Sequence, residues 1–84
     1  MSPITPAQIR AARATLRWKA EDLAERSQVG VATIRRAEVR EGATGMTAAN
    51  EAAIRQALEL AGIEFIPENG GGAGVRLRNR SSPL

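Results

Sequence analysis

Along the chain the apolar residues change their period once. From Ile4 to Gly62 they recur every three or four positions, the repeat of helices that bury one side. Ile9, Ala12 and Leu16 form the first stripe. Thr5-Pro6 ahead of them is a start signal: a hydroxyl able to accept from the first free N–H groups, then a proline with no N–H to satisfy. A first helix is therefore predicted over about 6–17. A second is predicted over about 20–27, with Leu23 and Ala24 inward. Its ends carry the charges that suit a helix dipole, Glu21 and Asp22 in the first turn and Arg26 in the last. Val29-Gly30 interrupts the pattern, and a third helix follows over about 31–39 with Ile34 and Ala37 on its inner side. The short connection between the second and third has the length of a helix-turn-helix joint. Gly42 and Gly45 mark a loop. Thr47 can cap a fourth helix reaching to about Ala61, with Ile54, Ala57, Leu58 and Ala61 inward, and Gly62 is its stop residue.

Beyond Gly62 the period falls to two. Ile63 and Phe65, then Val75 and Leu77, point one way; Glu64, Arg76 and Arg78 point the other. The glycine-rich stretch between Pro67 and Gly74 is a turn, so residues 63–78 are predicted to form a β-hairpin with one apolar face. Asn79 to Leu84 reads as a polar, frayed tail. The expectation is a mainly α fold: a four- to five-helix unit over 4–62, a hairpin over 63–78 and a flexible tail over 79–84.

Composition narrows the chemistry. With 84 residues, 43% hydrophobic and 25% charged, the chain suits one globular domain. Aromatics are only 2%, so the core must come from Ala, Leu, Ile and Val, which favours packed helices over a sandwich. Cys, His and Tyr are absent. That removes a thiolate nucleophile, a Cys or His zinc site, a His general base and any disulfide framework. The expectation is a non-enzyme with no metal and no cofactor. No apolar run approaches the ~20 residues of a membrane span, and the first residues lack a basic start and an apolar block. No membrane association is expected, and a cytoplasmic location is.

Charge supplies the positive clue. Twelve basic against nine acidic residues leave +3, and every base except Lys19 is Arg. Arginine's planar fork suits phosphate and guanine. On the third helix Val31, Ala32, Arg35 and Arg36 share the side opposite Ile34 and Ala37. Small residues in the first turn allow close approach to a base edge, and an arginine one turn later can pair with guanine O6 and N7. An ordinary solvated face would carry the same residues.

The order of elements adds a resemblance. Helix 1, the Glu21-Asp22-Leu23-Ala24 helix start, a short turn and Ala32-Thr33-Ile34-Arg35-Arg36-Ala37-Glu38 resemble the helix-turn-helix domain of lambda-type repressors, the Xre family. The stretch from Met46 through Ile54, Ala57-Leu58-Glu59 and Ala61 to Pro67 is similar to small bacterial or phage regulators of this type with a hairpin tail. The resemblance spans about Ile4 to Arg78. It implies a lambda-repressor-like fold and a sequence-specific DNA-binding transcriptional regulator. Val31, Ala32, Arg35 and Arg36 would contact bases. Thr33 would meet a phosphate or cap the helix, and Arg17, Lys19, Arg40 and the backbone N–H of Ala20 would hold phosphates. It also implies an ion pair between Arg13 and Glu38. The chain departs from the family at Gln28, where Gly is usual and a positive φ would be costly, and at Lys19-Ala20, where a polar cap and Gln are usual. Ala37 replaces a larger aliphatic residue.

Two further expectations concern partners. A lone hairpin is marginal in water, so Ile63, Phe65, Val75 and Leu77 are expected to join a homodimer on double-stranded DNA. The alternative is a protein-interaction module, antitoxin-like or an adaptor, whose main partner is a second protein. Trp18 is expected in the core, and Glu59, Glu64 and Glu68 in solvent. The glycine run at 70–74 is no phosphate loop, because no Lys-Ser or Lys-Thr follows it.

Overall fold

The computed structural model describes residues 3–68 and 70–78. The tail expected over 79–84, with Arg80, and Asn69 of the turn lie outside the described residues. Four α-helices and two strands follow in chain order: α1 (Pro6–Leu16), α2 (Ala20–Ser27), α3 (Val31–Glu38), α4 (Ala48–Leu60), β1 (Ile63–Ile66) and β2 (Gly74–Leu77).

Each helix ends where its residues give the backbone something else to do. Thr5 and Gln8 close a reciprocal cap on α1. The Gln8 N–H donates to Thr5 Oγ1 at 3.1 Å, and the Thr5 N–H donates to Gln8 Oε1 at 2.9 Å. The helix stops at Arg17, which turns left-handed at φ 60°; the following Trp18 N–H donates back to the Arg13 carbonyl at 2.9 Å. Gln28 stops α2 in the same way, at φ 61°. Thr47 Oγ1 accepts from the Asn50 N–H to start α4. Gly62, at φ 103°, lets the chain leave α4 for β1.

The core is aliphatic. Ile4, Ile9, Ala12, Leu23, Ile34, Ile54, Leu58 and Ile63 are essentially inaccessible to water. α3 packs on α1 and α2, α4 packs on α2, and the hairpin lies across α1 and α4. The strands pair antiparallel, with Ile63 opposite Leu77 and Phe65 opposite Val75.

That placement corrects the expected free apolar face of the hairpin. Ile63 is wholly inside this chain's own core, and Phe65 and Val75 are half-buried against it. Only Leu77 stays exposed, at 47%. The reason is a side chain the periodic pattern does not single out. Gln8 is buried, and its Nε2 donates to the Ile66 carbonyl at 3.3 Å and the Gly74 carbonyl at 2.9 Å. The glutamine that caps α1 thus also fastens the turn end of the hairpin to that helix. Glu51 does a similar service for the other segments, accepting from the Ile4 N–H at 3.2 Å and from Thr44 Oγ1 at 2.8 Å. Glu59 and Glu64, expected in solvent, keep 43% and 45% of their side chains exposed and also pair, with Arg55 at 3.3 Å and Arg76 at 3.1 Å.

Candidate nucleic-acid interface

α3 is eight residues long and one side of it is fixed. Ile34 and Ala37 enter the core, and Glu38 is buried with its carboxylate held by Arg13. The pair is two-pronged: Arg13 Nε donates to Glu38 Oε2 at 2.6 Å and Nη2 donates to Oε1 at 2.8 Å. Arg13 Nη1 donates to the Trp18 carbonyl, and Arg10 donates to the Glu38 carbonyl. The guanidinium of Arg13 is held above its ordinary value, chiefly by the hydrogen bond to Glu38. With its inner side tied to α1, the helix presents one defined outer face.

That face carries Ala32, Arg35 and Arg36, all exposed. Val31 lies at the edge of that face: it is half-buried and packs partly against the core. Arg35 reaches back to α2 and donates to Glu21 Oε2. Arg36 stays along its own helix, its Nη2 lying 3.4 Å from Thr33 Oγ1. Thr33, Arg36, Val39, Arg40 and Met46 then line an open groove of about 320 Å³ between α3 and the following loop. Arg40 lies over Gly45, and its Nε donates to the Ala43 carbonyl at 3.3 Å. At φ 76° the backbone of Gly45 favours glycine, and a Cβ there would also push the flexible end of Arg40, 2.7 Å away at Nε, aside.

The remaining assigned residues lie around the α1–α2 turn. Arg17 and Lys19 are exposed, and Lys19 is close enough to Glu21 to help hold its carboxyl down. The largest influence on that carboxyl is a hydrogen bond from its own backbone N–H, and Arg35 adds to it. Ala20 is buried, so only its backbone could meet a ligand. Lys19 caps α2 through its N–H, which donates to Asp22 Oδ2 at 2.8 Å. Trp18 is half-buried against the core with the Arg26 guanidinium 4.8 Å from its ring centre. The two arginines of the hairpin serve the fold: Arg76 binds Glu64, and Arg78 Nη2 donates to the Glu59 carbonyl near the end of α4 at 3.3 Å.

The arrangement places cationic side chains from Lys19 through Arg35 and Arg36 to Arg40 around a short helix whose first turn is small. No protein-family model matches the chain, and no curated protein matches it. No helix of the described residues is long and apolar enough to cross a membrane.

Proposed function

We propose that this chain is a sequence-specific DNA-binding regulator of the lambda-repressor-like helix-turn-helix kind, with α3 in the major groove. One observation carries the reading. The outer face of α3 offers Ala32, Arg35 and Arg36 together, while its inner face is anchored by Ile34, Ala37 and the Arg13–Glu38 pair. A base-reading helix needs both properties: a slim face that can approach, and a fixed roll that aims each side chain at one base edge. Arg17, Lys19, Arg40 and the Ala20 N–H are assigned to phosphates, where positive charge supplies affinity without sequence choice. A cytoplasmic, nucleoid-associated location is part of this reading, since the DNA it would bind lies there.

One short recognition helix covers few base pairs, so a homodimer on two half-sites is part of the proposal. With Ile63, Phe65 and Val75 taken up by the core, its contact falls to the corner where Leu60, 81% exposed, and Leu77 lie beside the α4–β1 turn. The same leucines are what favours the second reading, a module that docks on another protein.

Selection of bound duplexes from a random pool, followed by a salt titration on the enriched site, tests the proposal. A DNA reader yields one enriched motif, two half-sites about a helical turn apart, and affinity that falls steeply with salt. An unenriched pool and salt-insensitive retention would leave the protein-docking reading in its place.

A further inference from the structure

The two exposed arginines of α3 are not equivalent. Arg35 crosses to α2 and is held by Glu21, whereas no ion pair holds Arg36 among the described residues. Both partners of the Arg35–Glu21 pair are 58% exposed. A pair that open to water contributes little to folding. It also sets a carboxylate on a surface read here as facing a polyanion, where each negative charge opposes association. The acid is fully ionised at neutral pH, since its carboxyl lies below the ordinary range.

We infer that Glu21 is a specificity-determining residue that positions the Arg35 guanidinium for a guanine edge and keeps it off the phosphates. The inference rests on the DNA-binding reading. Arginine has five N–H donors in a rigid fork, and Glu21 engages it through Nη2 alone. The others are left for the two parallel bonds to guanine O6 and N7. A side chain already held gives up less rotamer freedom when it binds. The second effect is exclusion. A phosphate approaching Arg35 would bring a full negative charge against the Glu21 carboxylate, whereas the guanine edge carries only the partial charges of O6 and N7 and is repelled less. The pair therefore separates base from backbone by charge. Arg36 has no such acid and is free to take either.

Binding of the full chain to its selected site and to random duplex, over a salt series, tests this with Glu21→Gln, Arg35→Ala and the double variant. Glu21→Gln should bind random DNA more tightly, with a salt slope steeper by up to about 1. Its specific-to-random ratio should fall by roughly fivefold or more, with selection relaxed at one base position. In the Arg35→Ala background the same substitution should leave the ratio where it was. Melting temperature should fall only by the small amount expected for one first-turn acid of α2, and equally in the Arg35→Ala background. A purely structural role of the pair would lower it only when Arg35 is present. An unchanged ratio and base profile for Glu21→Gln overturns the inference, as does an equal change in the Arg35→Ala background. Tighter random binding with an intact base profile overturns it too, since that is charge removal alone. A wild-type chain without any preferred sequence overturns the DNA-binding reading itself, and this inference with it.

Discussion

Arg13 clasps Glu38 with the Nε and Nη2 edge of its guanidinium, at 2.6 Å and 2.8 Å, while its third nitrogen donates to the Trp18 carbonyl at 2.9 Å. One side chain of α1 thereby ties the end of α3 to the turn that leads into α2, and sets the roll of α3. Glu38 is buried and Arg13 keeps 23% of its side chain in water, so removing either partner strands a charge in a partly desolvated site. Glu38→Gln or Arg13→Met should each cost about 2–3 kcal/mol, under the 3–5 of fully buried pairs. The double variant should lose clearly less than the sum. Denaturant unfolding of the three variants measures the coupling; additive losses would show that the two residues act separately.

Gln8 does two jobs with two different atoms. Its Oε1 accepts from the Thr5 N–H, and its Nε2 donates to the carbonyls of Ile66 and Gly74. Gln8→Glu keeps the first and destroys the second, because a carboxylate oxygen would face two carbonyl oxygens. Repulsion and burial would raise the pKa of that carboxyl above its unfolded value. The variant should therefore hold its stability at pH below the unfolded carboxylate pKa and lose it as pH rises through the folded one. Hydrogen exchange at Gly74 and Arg76, whose N–H groups face β1 in this register, reports it: exchange should quicken with pH beyond the ordinary base-catalysed rise, with α2 amides unaffected.

The punctuation of the helices was legible in the chain, and the cross-links between them were not. Thr5-Pro6, Thr47 and Gly62 act through neighbours within a few residues, so their roles can be read locally. Gln8 finds its hairpin partners 58 and 66 residues away, and Glu51 reaches Ile4 across 47. No periodic pattern carries such pairings. The alternation of β1 and β2 announced an apolar face without saying what would cover it, and α1 and α4 cover it. Val31 shows the limit of a helical wheel: at the first position of α3 it is near enough to the core to pack there. The partner of Arg35 comes from another helix, 14 residues back across the turn, so the wheel that grouped Arg35 with Arg36 could not tell them apart.

The hairpin carries a pH-dependent pair on its outer face. Arg76 binds the Glu64 carboxylate at 3.1 Å, and this hydrogen bond, then the charge of Arg76, holds the Glu64 carboxyl below the usual range. Because the folded pKa is depressed, the favourable contribution is present above the unfolded carboxylate pKa and disappears as pH falls through the folded value. Carboxyl-resolved NMR titration should find Glu64 titrating below the ordinary carboxylate range. Arg76→Met should move Glu64 back up; an unmoved midpoint would remove Arg76 as the cause.

If α3 reads bases, substitutions along the cationic stripe should divide by kind. Arg35→Ala or Arg36→Ala, whichever side chain meets a guanine, should cost about 1–3 kcal/mol at one base position and relax selection there. Arg40→Ala should weaken all sequences alike and lower the salt slope by about 1. Binding to a panel of single-base variants separates the two patterns. Equal losses on specific and random duplex for both α3 arginines would show that α3 holds only backbone.

Arg17 should show a conflict between stability and binding. It occupies left-handed backbone at φ 60°, where a Cβ costs roughly 1–2 kcal/mol relative to glycine. Gln28, the other non-glycine residue at positive φ among the described residues, has a structural use for its side chain: Nε2 donates to the Glu25 carbonyl at 2.7 Å and closes the end of α2. The Arg17 side chain is exposed beside the α1–α2 turn, where a phosphate contact is assigned, and that contact is a use the fold itself does not supply. Arg17→Gly should therefore raise stability, by about 1 kcal/mol or less once the added freedom of the unfolded chain is counted. It should also weaken DNA binding on every sequence and reduce its salt dependence by about one charge. Gln28→Gly is the control: relief of the same backbone strain is offset by the lost bond to Glu25, and DNA affinity should stay put. Thermal melts and salt-dependent binding of the two variants distinguish the cases. If Arg17→Gly stabilises the chain and leaves DNA affinity untouched, the phosphate assignment of Arg17 is wrong.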